Sequence, residues 1–229
     1  MNVVLVTGTD TGVGKTWVSR ALARLLMQAG RRVVAIKPVE TGCTAATAAR
    51  EDGALLAAAT GQSEPLAALH RFASPLAPAL AADSPTDGDG VDLDALLLRI
   101  EALSDGAEIV LMEGFGGLLS PITWEWTVVE LARSLGAVAL VVGSDRLGVI
   151  NHALLTLSAL ELAGIDVAGL VLTPPVTADT STGTNAAAIA RLGGLDEVLV
   201  APRASDPLLA ADALAPVVGW LDRPRREGA

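Results

Sequence analysis

The first sixteen residues constrain this chain more than any other stretch. Val3-Val4-Leu5-Val6 is an apolar run rich in β-branched residues, the pattern of a strand buried on both faces. It breaks at Gly8 into the small polar loop Thr9-Asp10-Thr11-Gly12-Val13, which ends in Gly14-Lys15-Thr16. A helical spacing follows at once through Val18, Leu22, Leu25 and Leu26. Strand, glycine loop, Gly-Lys-Thr and helix together build a cradle for phosphate. The glycines let backbone N–H groups turn inward toward an anion, and the helix N-terminus adds partial positive charge. The Lys15 ammonium can reach β- and γ-phosphates, and the Thr16 hydroxyl can bind Mg²⁺. Five residues separate Gly8 from Gly14, one more than the usual P-loop spacing.

The rest of the chain reads as repeated strand–helix alternation. A helix is predicted over 15–29 with Gly30 at its end, then a strand over 32–36 closed by Lys37-Pro38. Lys37 thus falls at a strand's carboxyl end, where open parallel sheets bind ligands. A short helix runs from Asp52 to near Gly61, and a long connection rich in Pro, Ala, Ser, Asp and Gly spans 62–90. After a helix over 93–103, the strand Ile109-Val110-Leu111-Met112-Glu113 ends in an acid followed by Gly114-Phe115-Gly116-Gly117. An acid at that place in a P-loop protein helps hold Mg²⁺, and glycines after it favour close approach to a ligand. Further elements are predicted at 128–135, 137–142, a long helix to Ala163 whose start near 148–152 could hold an anion, 167–172, 185–192, 195–200 and 207–221, with 176–184 polar and flexible. The alternation predicts one domain over residues 1–222, a parallel sheet covered on both faces, and a disordered tail over 223–229.

Composition narrows the chemistry. A net charge of −10 argues against a nucleic-acid partner. No apolar run approaches the roughly 20 residues of a membrane span, and the first strand leaves no room for a targeting peptide. The single cysteine, Cys43, excludes an internal disulfide, so a cytoplasmic protein is expected. Of 16 basic residues only Lys15 and Lys37 are lysines, and both fall beside predicted strand ends. An ammonium is not interchangeable with a guanidinium, so both read as chosen for chemistry. Lys15, Thr16, Asp52 and Glu113 make a site for MgATP, with Lys37 and Thr41 from the neighbouring strand end. His70 and His152 form no metal cluster with one another, and Cys43 reads as incidental.

Taken together these motifs resemble the dethiobiotin synthetases, ATP-dependent carboxylases of biotin synthesis. The matching segments are Val6 to Thr16 with its extra loop residue, Lys37-Pro38-Val39-Glu40-Thr41-Gly42, the Asp52 helix, Phe72-Ala73-Ser74-Pro75-Leu76-Ala77-Pro78, Glu113 to Gly117, and Leu147-Gly148-Val149-Ile150-Asn151-His152. The resemblance implies a three-layer α/β/α P-loop NTPase-like fold with a mostly parallel sheet, and a homodimer with the diamine between subunits. It implies ATP as co-substrate and Mg²⁺ held by Thr16, Asp52 and Glu113. Nucleotide contacts would come from Asp10, Thr11, Gly12, Val13, Gly14, Lys15, Thr16, Asp52, Glu113, Thr173 and Pro202. Lys37, Lys15 and Thr11 would be catalytic. Thr41, Gly114, Gly116 and Gly117 would lie on the diamine, and Gly148, Val149 and Asn151 would hold its distal carboxylate. The family joins CO₂ to 7,8-diaminopelargonic acid and closes a ureido ring.

The sequence departs from the family at three places. Gly12 stands where some members carry an acid, Phe115 stands where a small residue is common and could narrow the pocket, and Thr173-Pro174-Pro175 replaces an adenine-reading Asn. The choice of nucleotide base is therefore open. Amide-forming relatives of the cobyrinate amidase type carry an added glutaminase domain, for which 229 residues leave no room. Partitioning ATPases carry a second lysine early in the loop, and residues 9–13 contain none.

Overall fold

The computed structural model describes residues 2–223 of the chain. Strand β1 (Asn2–Gly8) lies at the centre of a six-stranded sheet and leads through the glycine loop into α1 (Lys15–Gln28). Then come β2 (Val33–Ile36), β3 (Val39–Thr41), α2 (Asp52–Thr60), β4 (His70–Phe72), α3 (Pro78–Ala82), α4 (Leu93–Leu103), β5 (Ile109–Glu113) and α5 (Val128–Ser134). The chain continues through β6 (Val138–Ser144), α6 (Val149–Leu162), β7 (Val167–Thr173), α7 (Asn185–Gly193), β8 (Leu199–Val200) and α8 (Ala215–Leu221). The main sheet has the order β2-β5-β1-β6-β7-β8, and every pairing in it is parallel.

Successive side chains of a strand face opposite ways, so a strand covered on both sides must be apolar throughout. Val3 and Leu5 of β1 enter one core cluster, with Ile100 of α4, Leu131 of α5, Leu160 of α6 and Ile189 of α7. Val4 and Val6 enter the other, with Leu22 and Leu26 of α1, Leu56 of α2 and Trp220 of α8. These two helical layers confirm the three-layer α/β/α arrangement. Among the described residues no helix is long and apolar enough to cross a membrane.

Several expected boundaries change. The connection over 62–90 is not structureless: β4 pairs in parallel with β3 as a second, two-stranded sheet, and α3 follows. The strand expected over 195–200 forms only at 199–200, and the last helix starts at 215 after a 3₁₀ turn over Ala211–Leu214. Segment 176–184 is tied down rather than loose. Asp145, buried after β6, accepts from Gly183 N and Asn185 Nδ2, while Asp179 accepts from Leu147 N at 2.8 Å. Of the expected tail, residues 224–229 lie outside the described residues. Arg223 pairs with Asp196 at 3.1 Å, and Asp222 pairs with Arg31, beside the amino-terminal start of β2, at 2.7 Å.

Candidate active site

The parallel register gathers strand ends. Val6 sits opposite Glu113 and Gly8 opposite Val142, so β1, β5 and β6 all finish on one edge. The loop leaving β1 needs left-handed backbone at Gly12 (φ 71°) and Gly14 (φ 90°), which glycine adopts at no steric cost. Gly14 is also the N-cap of α1, and a β-carbon there would come within 2.9 Å of Thr173 Cγ2. The Thr173 hydroxyl donates to the Val13 carbonyl at 2.7 Å, so the end of β7 braces the loop from behind. No side chain caps α1, which leaves its first N–H groups to an anion.

Lys15 is largely buried, and its ammonium donates to Gly116 O at 2.6 Å and Asp10 O at 3.0 Å. Burial, and then the nearby charge of Lys37, lower its pKa to about 8 against the pull of Glu113, Asp52 and Asp10. An anion placed beside this ammonium would favour its charged form.

Lys37 is 2% exposed and Glu113 is fully buried. The Lys37 ammonium donates to Glu113 Oε1 at 2.8 Å, Asp52 Oδ2 at 2.7 Å and Gly114 O at 3.0 Å. Burial works against its charge, but Glu113 and Asp52 outweigh that and hold its pKa above the ordinary lysine value. Asp52 is shifted the other way: burial opposes its charge, yet the charge and hydrogen bond of Lys37 keep its carboxyl below the usual range. The Thr16 hydroxyl lies 2.7 Å from Asp52 Oδ1 and 2.9 Å from Glu113 Oε1, one proton within reach of two acceptors. Glu113 Oε2 is buried with no hydrogen-bond partner among the described residues. Two carboxylates, one of them with that unpartnered oxygen, and one hydroxyl form an all-oxygen donor set that fits a hard divalent cation such as Mg²⁺.

The glycines after β5 lie against the P-loop. A β-carbon at Gly117 would sit 3.6 Å from Gly8 O, and one at Gly116 (φ 54°) would collide with Ser120 Oγ and stand 3.7 Å from Thr11 Oγ1. Ser120 accepts from Gly117 N at 3.0 Å and holds this turn. Phe115 is half-buried and packs against the core cluster that holds Leu5 and Met112. Thr41 ends β3, half-buried. Gly148 (φ 94°) is the N-cap of α6, Val149 is buried close to Gly143, and Asn151 is exposed. A cleft of about 460 Å³ opens beside the loop, lined by Thr11 to Gly14, Thr173 and Pro202. Trp17, Arg146, Pro175 and Arg203 line it too; the sequence alone marks Pro175 as a departure beside Thr173 but gives none of the four a role in the site. Arg146 stands 3.7 Å from Asp10 Oδ2, Trp17 donates to Ala204 O at 3.0 Å, and the Arg203 guanidinium donates to Pro175 O. The signal for three of these was positional, because Arg146, Pro175 and Arg203 follow the carboxyl ends of β6, β7 and β8.

Cys43 is buried beside Glu40, Glu51 and Arg71, and burial pushes its thiol up to about 11. His70 packs its ring 4.5 Å from that of Phe72, and burial lowers its pKa.

An uncapped helix start behind a left-handed glycine loop, with Lys15, Thr16 and Glu113 in place, defines a P-loop protein that uses a nucleoside triphosphate. A family model described as an AAA domain matches residues 2–208. Proteins named ATP-dependent dethiobiotin synthetase BioD are similar along nearly the whole chain. The one from Anaeromyxobacter dehalogenans (strain 2CP-C) is 42% identical over 95% of this chain and 97% of its own, and that from Aquifex aeolicus is 39% identical over 91% and 92%. The chain belongs to the ATP-dependent dethiobiotin synthetase family. Among solved structures, a Pyrococcus furiosus cell division ATPase MinD superposes with a TM-score of 0.57 at 18% identity, covering 96% of this chain and 99% of its own. A ParA family ATPase from Chlorobium tepidum does so at 0.55 and 14%, covering 96% and 97%. Those two likenesses concern the fold alone.

Proposed function

We propose that this chain closes the ureido ring of dethiobiotin, using ATP to join CO₂ to 7,8-diaminopelargonic acid. The observation that carries the reading is the buried Lys37 ammonium, fixed by Asp52 and Glu113 at the strand end beside Thr16. A plain ATP-hydrolysing loop needs Lys15, Thr16 and a strand-end acid; Lys37 is a second fixed cation, aimed from β2 at the Gly114 carbonyl. Phosphoryl transfer to a carbamate brings two anions together, and such a step requires concentrated positive charge.

In this reading a neutral substrate amine attacks CO₂, loses a proton and becomes a carbamate. A carbamate oxygen then attacks the γ-phosphorus, giving ADP and a carbamic–phosphoric anhydride. The second amine attacks the anhydride carbon, phosphate leaves, and the ring closes. Lys15 and the N–H groups of the P-loop hold the phosphates. Lys37 stabilises charge on the transferred group, and the Thr11 and Thr41 hydroxyls donate to carbamate and phosphoryl oxygens. Thr16, Asp52 and Glu113 would hold Mg²⁺, which when bound neutralises phosphate charge and orients the chain of oxygens. Gly114, Gly116 and Gly117 leave room for the diamine. Asp10, Gly12, Thr173 and Pro202 flank the nucleotide, Thr173 through the loop it braces.

The working unit in this reading is a homodimer, in which Gly148, Val149 and Asn151 of each copy reach the diamine of the other. Leu147, Leu155 and Leu162, on and just before α6, are exposed and would be covered there. Sedimentation equilibrium is expected to give twice the chain mass.

The deciding assay mixes the protein with the diamine, bicarbonate, Mg²⁺ and each nucleoside triphosphate in turn, following phosphate release and product mass. Diamine- and bicarbonate-dependent release with dethiobiotin is the expected result. Hydrolysis indifferent to the diamine overturns the reading in favour of a nucleotide-switched ATPase.

A further inference from the structure

Asp52 accepts from Lys37 through Oδ2 and from Thr16 through Oδ1, yet it is the first residue of a nine-residue helix and is about one-third exposed. Helix ends fray, and the N-cap of α2, Glu51, makes no side-chain capping bond. The stiffness comes from outside the helix. Glu40 on β3 is buried, and its two oxygens accept from Asp52 N at 2.5 Å and from Gly53 N at 3.0 Å. Arg71 is paired in register with Glu40 on β4. Its guanidinium forks onto Glu51, with Nε 3.0 Å from one oxygen and a terminal nitrogen 2.8 Å from the other. On the far side a β-carbon at Gly53 would run into the backbone of Ala67 and Ala68, so the first turn of α2 is clamped between two surfaces.

The ligand atoms of Glu40, Cys43 and Glu51 lie within 4.8 Å of one another, which raises a metal site as the other reading. The bonding argues against it. Both Glu40 oxygens are committed to α2 N–H groups, and Arg71 already neutralises Glu51.

We propose that Glu40 and Arg71 are positioning residues for the divalent cation: the β3–β4 pair fixes the first turn of α2 so that the Asp52 carboxylate stands where Lys37 and Thr16 meet it. The proposal rests on the assignment of Asp52 to the cation. It is tested on the full chain with Mn²⁺ as probe and a non-hydrolysable ATP analogue, free Mn²⁺ being counted by its paramagnetic resonance signal. Glu40→Gln keeps the shape but presents an amide donor to a main-chain donor, and Arg71→Lys keeps the charge but loses the fork. Each is expected to weaken Mn²⁺ binding about tenfold or more, as lost partners of metal ligands do. The Mg²⁺ concentration for half-maximal turnover should rise by the same factor while metal-free nucleotide affinity stays unchanged. Asp52→Asn sets the upper limit of the effect. Wild-type Mn²⁺ affinity in both variants with a loss in Asp52→Asn overturns the positioning role and makes the pair an ordinary brace. Wild-type affinity in Asp52→Asn as well overturns the assignment of Asp52 itself.

Discussion

At Lys37 two physical effects pull in opposite directions. Burial strips the ammonium of water, and Glu113 and Asp52 return more than burial takes. Removing one member of such a buried set is costly because the other is left charged and unpaired. Lys37→Met is therefore expected to lower stability by about 3–5 kcal/mol in urea unfolding and to cut turnover by about 10²-fold or more. Nucleotide binding, which the proposed reading assigns to Lys15 and the loop backbone, should survive in a direct titration; undiminished turnover would remove Lys37 from the mechanism. Cys43 carries a second residue-scale expectation. The unfolded thiol ionises at its ordinary value near 9, while the folded one keeps its proton to about 11. Between those values the unfolded chain binds fewer protons, so this group lowers stability as pH rises through that window, and below it contributes no pH dependence. Alkylation of the native protein by iodoacetamide should accordingly stay slow at pH 9 and quicken only toward 11. Lys15, Thr16, Lys37, Asp52 and Glu113 were legible because each stands at the end of an apolar run or the start of a helix. Glu40 and Arg71 were not, since what joins them is a pairing register between segments thirty residues apart.

The elements differ in how openly the sequence declares them. The strands β1, β5, β6 and β7 are apolar along their middles because both faces are covered, with polar residues only toward their ends, and that pattern needs no context to read. The three-residue strands β3 and β4 carry no period long enough to see, and β8 is two residues long. The loop at 176–184 looked free because its residues are polar, yet those polar groups are what bind it to the Asp145 corner and the start of α6. Asp179 itself is held near a pKa of about 2, chiefly by Ser181 and the Leu147 N–H. At the element scale the sharpest prediction concerns Gly53. Gly53→Ala improves intrinsic helix propensity in α2 but drives a methyl group into the Ala67–Ala68 backbone. The steric effect should win, with a loss of about 1–3 kcal/mol in chemical denaturation. A stabilised variant would mean that the 62–69 segment yields freely.

For the molecule as a whole, a parallel sheet forces every strand to end on the same edge, and the candidate site is assembled there from β1, β2, β5, β6 and β7. That much followed from the alternation of strands and helices, because parallel neighbours require crossovers that return the chain to its starting edge. What the alternation could not supply was the lateral order, and it is this order that sets Glu113 beside Val6 and Lys37 beside Glu113. The same polarity has a use on the bench. Asp222 is tied to Arg31 and Arg223 to Asp196, both at turns that feed strand starts, so the last described residues leave from the edge opposite the phosphate loop. A protein grafted to a resin or electrode through that end would turn its reactive edge toward the liquid, and its apparent Michaelis constant for ATP should match that of the free protein.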